Sequence, residues 1–96
     1  MYLLLKHVFL ISNGEEDVFN AEKYFGEELI ILIVLDSRGM AAGEADKRIE
    51  ALLKKANSLS LSLAPRAVSN RVVIQWGNPY DELQRCLERE EAVQLL

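Results

Sequence analysis

Few residues in this chain have the type and spacing that covalent or acid–base chemistry needs. There is one histidine, His7, and one cysteine, Cys86. His7 follows Lys6 within an apolar run and reads as a strand residue, with no motif pairing it to a nucleophile. Cys86 sits beside Leu87 in a helical pattern and reads as a small packing residue. Arg85 and Arg89 are the only nearby charges that would favour a thiolate. A lone histidine and a lone cysteine exclude an internal disulfide, a cysteine metal cluster and a multi-histidine zinc site. General acid–base work needs two carboxylates held in different environments. The 15 acidic residues fall mostly on helix faces, and no pair stands out.

The better candidates are positional. Asp36 ends a long apolar run, where a ligand-binding carboxylate of an α/β sheet would stand. Capping of the following loop is the competing role. Asn13-Gly14 is a turn signal at the end of the first apolar run. Trp76 and Tyr80 flank Gly77 and suit a pocket wall, a core rim or an interface.

Composition narrows the partners. The chain has 96 residues, half of them hydrophobic and 27% charged, which supports one small domain with one core. A formal charge of −4 with interleaved signs, as in Asp46-Lys47-Arg48-Ile49-Glu50, offers no basic patch for nucleic acid or an anionic membrane. Residues 2–5 are apolar, but Lys6 and His7 interrupt them and no small-residue cleavage site follows, unlike a signal peptide. The run Leu29 to Leu35 is far shorter than the roughly 20 residues that span a bilayer. A reduced, cytoplasmic protein is expected.

The elements that must position these residues follow from periodicity. Residues 2–12 form a β-prone run that ends at Asn13-Gly14. A short helix is expected over Glu15–Phe25, stopped by Gly26. Glu28–Leu35 lacks alternation and is rich in isoleucine and valine, as in a central parallel strand covered on both faces. From about Ala41 the pattern turns helical, with Ala45, Ile49, Leu52, Leu53, Ala56 and Leu59 on one stripe, and continues toward Leu63 before Pro65. The alternation of Leu59-Ser60-Leu61-Ser62-Leu63 also suits a strand. Arg66–Arg71 reads as a polar connection and Val72–Trp76 as a strand. Gly77-Asn78-Pro79 is then a turn, an N-cap and a first helical residue, opening a helix over Pro79–Glu90 with Leu83 and Leu87 inward. Ala92–Leu96 begins a fourth strand. Strict β/α alternation predicts a parallel sheet with right-handed crossovers, a three-layer α/β sandwich of order 3-2-1-4.

Three segments resemble the universal stress protein family. Glu27-Glu28-Leu29-Ile30-Ile31-Leu32-Ile33-Val34-Leu35-Asp36 is similar to that family's second strand, which ends in a leucine-leucine-histidine-valine-x-aspartate pattern. Gly77-Asn78-Pro79-Tyr80-Asp81-Glu82-Leu83 resembles its glycine-x-proline turn and the acidic start of its third helix. Asn13-Gly14-Glu15-Glu16 resembles its aspartate-glycine-serine-glutamate turn. The resemblance implies an adenine nucleotide α-hydrolase-like, flavodoxin-like sheet and a fold that often binds ATP and dimerises. The family's nucleotide contacts map to Asn13, where an aspartate is usual, and to Val34. The family's phosphate loop, final helix and final strand would lie beyond Leu96, which implies a shortened domain spanning 1–96. Tight ATP binding by the family's route is then not expected, nor is a resident cofactor.

Two functions are therefore expected. One is a non-enzymatic stress-response module that works as a homodimer or larger homo-oligomer, pairing through the Val93-Leu95-Leu96 segment. The other is an ATP-, AMP- or small-ligand-binding protein using Asn13, Gly14, Val34 and Asp36, its site completed by a partner subunit. Nucleotide hydrolysis involving Asp36 is a third, weaker reading.

Overall fold

An unbroken run of branched apolar side chains is tolerated only where both faces of a strand are covered. β2 (Glu28–Leu35) has that environment: Leu29 through Leu35 are each at most 1% exposed. In the computed structural model, which describes residues 6–95 except 15, 25–27, 37 and 39, β2 lies between β1 (Lys6–Ile11) and β3 (Ser69–Trp76). A two-residue β4 (Val93–Gln94) pairs with β1 on the far side. The sheet is wholly parallel, in the order β3-β2-β1-β4, as expected.

Register sorts the side chains into two cores. Val8, Ile30, Leu32 and Val34 face α3 (Pro79–Glu90), whose Leu83 and Cys86 are buried against them. Phe9, Ile11, Leu29, Ile31, Ile33 and Leu35 face α1 (Val18–Glu22) and α2 (Glu44–Leu63). The layers are thus helix, sheet, helix, in a flavodoxin-like arrangement. No described helix is long and apolar enough to cross a membrane.

Two expectations about element bounds need revision. α1 is five residues long rather than spanning Glu15–Phe25. Before it, the Glu16 carboxylate is bound by the preceding turn. After it, Arg66 donates to the carbonyls of Glu22 and Tyr24, so a side chain takes the acceptors at the helix end. β3 begins at Ser69, not Val72. Its Asn70 is satisfied in place, because Ser60 Oγ donates to Asn70 Oδ1 at 2.6 Å and Asn70 Nδ2 donates to the Val68 carbonyl. The Leu59–Leu63 segment is helical: Leu59 and Leu63 repeat at helical spacing and are buried, while Leu61 is 73% exposed. α3 buries Leu83 and Cys86 most deeply, with Leu87 packed at their margin. Of the expected elements, residues 2–5, Glu15, the Phe25-Gly26 stop and Leu96 lie outside the described residues.

Candidate functional site

Parallel strands deliver their carboxyl ends to one edge of the sheet, where the turns into the next helices gather. Three turns meet there, after Ile11, Leu35 and Trp76. The first is built on Glu16. Its carboxylate accepts from Ser12 N at 3.0 Å, Ser12 Oγ at 3.3 Å, Asn13 N at 3.1 Å and Gly14 N at 3.1 Å. Gly14 has φ +82°, which lets the amides converge. Burial pushes the Glu16 pKa up, but the amides of Ser12, Asn13, Glu16 and Gly14 together outweigh it, and the group titrates below its ordinary range. Lys55 of α2 donates to the Gly14 carbonyl at 2.6 Å.

The second turn is built on Asp36, which accepts from the Arg38 amide at 3.1 Å and from its guanidinium at 2.6 Å through Nη2. The Arg38 side-chain hydrogen bonds, and then its amide, hold the Asp36 pKa down at about 2. The loop-capping role weighed against ligand binding is thus present. In the third turn Asn78 Oδ1 caps α3, accepting from Tyr80 N at 2.9 Å and Asp81 N at 3.2 Å.

A cavity of about 530 Å³ opens beside Asp36, between its turn and the start of α2. Arg38, Lys47 and Arg48 bring positive charge to it, Asp36 and Glu44 negative charge, and Met40 an apolar wall. Arg38 is committed to Asp36, whereas Lys47 and Arg48 make no ion pair among the described residues. That lining suits a small anionic molecule with an apolar part.

Of the four expected site residues, Asp36 alone lines this cavity. Asn13 and Gly14 are exposed in the β1–α1 turn. The Val34 side chain is fully buried against α3, so a ligand there would meet only its main chain. Trp76 is 51% exposed and Tyr80 77% exposed, and neither lines the cavity. Lys47 and Arg48, which stand in a charge run of interleaved signs, line the cavity, and Glu16 and Lys55, to which the sequence assigns no site role, build the first turn.

His7 and Cys86 do not form a catalytic pair, because the sheet separates them. The Tyr24 hydroxyl donates to the Glu28 carbonyl at 2.9 Å and lies 2.7 Å from His7 Nδ1, so the histidine is held on the α1 side of the sheet. Cys86 is 1% exposed on the opposite face, and burial pushes its thiol pKa up. No cluster of His, Cys, Asp and Glu suited to a metal ion occurs among the described residues. No family model, no curated protein and no solved structure matches this chain.

Proposed function

We propose that this protein is a small cytoplasmic regulatory module of the universal-stress type that acts without catalysis, by self-association through its sheet edges. The observation that carries this reading is β3. It is eight residues long, pairs only with β2 among the described residues, and exposes Ile74 and Trp76 near its end. Sheet edges left open in this way template pairing with another strand unless charge, proline or a bulge blunts them. The only charge in β3 is Arg71, and it is turned onto Glu28 and Glu90 of its own chain. The β4 edge is shorter but exposes Val93, so the segment first expected to pair is a second edge for association.

Light scattering at micromolar concentration is expected to give at least twice the 10.9 kDa chain mass. Ile74→Lys should shift it toward the monomer if β3 pairs, and Val93→Lys if β4 pairs. A monomeric wild-type protein rejects the proposal.

The second reading, a nucleotide- or small-ligand-binding protein, is favoured by the cavity at Asp36. Calorimetric titration with ATP and AMP tests it. Absence of heat and of any thermal shift rejects it.

A further inference from the structure

Backbone amides that converge on one point form a concave nest, and such nests bind oxyanions. The β1–α1 turn is one: three consecutive amides, from Ser12 to Gly14, and the Ser12 hydroxyl converge on a single carboxylate, at 3.0 to 3.3 Å. That carboxylate belongs to Glu16, two residues past Gly14, on a side chain with rotatable bonds. A second feature points the same way. Lys55 reaches across from α2 to the rim of the nest, where its ammonium donates to the Gly14 carbonyl at 2.6 Å and makes no ion pair among the described residues. A cation thus stands beside an anion site whose occupant it does not neutralise. The rim is also open to solvent at Asn13 and Gly14.

We infer that this turn is a phosphate-binding site, kept filled by Glu16 until the phosphate group of a ligand displaces it. A phosphate dianion presents three oxygens to the donors that now serve two, and it adds an ion pair with Lys55 that the carboxylate does not make. The site stands on a different element from the glycine-rich loop that the family resemblance would place after β4. It does not depend on self-association. It goes beyond the ligand-binding reading, because it rests on the β1–α1 turn and not on the Asp36 cavity.

Chemical rescue tests it with the full chain, Glu16→Ala, Glu16→Gln and the Glu16→Ala/Lys55→Gln double variant. Thermal unfolding and amide NMR are followed in chloride and in inorganic phosphate at matched ionic strength. Glu16→Ala is expected to melt lower in chloride and to recover in phosphate, with shifts at the Ser12, Asn13 and Gly14 amides. Wild type should bind phosphate about tenfold more weakly, since its nest is open in only a fraction of molecules. The Lys55→Gln change should weaken phosphate binding further. AMP binding tighter than inorganic phosphate identifies the phosphate of a larger ligand, and equal binding identifies free phosphate. If neither single variant folds in chloride, folding on addition of phosphate supports the site, and no folding overturns it. Folded variants that gain no more from phosphate than from chloride overturn it. So does AMP binding that leaves these three amides unmoved, which would assign the ligand to the Asp36 cavity instead.

Discussion

Gly77 and Asn78 do their work within a few residues of themselves. Gly77 has φ +140°, and its amide donates to the Leu35 carbonyl at 2.9 Å, which ties the end of β3 to the end of β2. A Cβ there would lie 3.1 Å from Glu82 Oε1 as well as adopting a backbone conformation that side chains disfavour. Gly77→Ala is therefore expected to cost about 1–3 kcal/mol in urea unfolding. Asn78→Ala removes the acceptor of two α3 amides and should cost about 1 kcal/mol, whereas Asn78→Asp should keep most of that cap. Both roles were legible in the sequence because a turn and a cap are made by neighbours in the chain. Glu16 lies just as close to its donors, yet nothing in the types of residues 12–16 says that three amides will point inward. Lys55 was beyond reach altogether, since its contact with Gly14 depends on how α2 lies across the end of β1.

At the scale of the element, one segment had two periodicities and packing chose between them. Leu59, Leu61 and Leu63 alternate like a strand, while Leu52, Ala56, Leu59 and Leu63 repeat like one face of a helix. The helix buries all four of the latter against Leu29, Ile31 and their neighbours. Leu61 is left in solvent. Leu59→Ala should accordingly lower stability by about 2–5 kcal/mol through lost burial and a residual cavity. Leu61→Ala should change it by no more than about 0.5 kcal/mol. Equal losses at the two positions, measured by thermal or urea unfolding, would contradict the helical assignment. α1 shows the opposite balance. Its apolar positions predicted a longer helix, but the bonds that Glu16 and Arg66 make to the main chain on either side confine it to five residues.

Across the whole molecule, the two edges of the sheet carry different electrostatics. The carboxyl edge holds the Glu16 nest, the Asp36–Arg38 pair and the cavity. The amino edge is closed by a cluster in which Arg71 bonds Glu90 at 2.5 Å and Glu28 at 3.2 Å, with Lys6 within 4.0 Å of both carboxylates. The hydrogen bond from Arg71 is the largest influence on Glu90 and holds its pKa below the ordinary 4.5, against the opposing effect of burial. Glu16 is depressed in the same direction by its amides, against burial. A carboxylate with a lowered folded-state pKa contributes stability above its unfolded value, and that contribution is lost as pH falls through the folded value. The melting temperature should thus hold near neutrality and fall as pH drops below about 4.5. Glu90→Gln should be less stable than wild type by about 1 kcal/mol at neutral pH and should lose less on acidification. An unchanged pH profile in Glu90→Gln would show that the cluster contributes nothing.

The chain by itself determined the alternation of strands and helices, the parallel sheet and its strand order. An apolar run without alternation demands cover on both faces, and short crossovers leave few ways to supply it. It also placed Asp36 at the edge where the cavity opens, because strand ends are read from where hydrophobicity stops. Tertiary structure alone decided what happens at that edge. It buried the Val34 side chain against α3, put His7 and Cys86 on opposite faces of the sheet, and set Lys47 and Arg48 of α2 around the cavity beside Asp36. These outcomes depend on which face a residue presents and which distant helix covers it. Glu16 and Lys55 show the same limit most clearly: the carboxylate fills a nest of main-chain amides, and the lysine that reaches its rim comes from another element, so neither is encoded in local residue types.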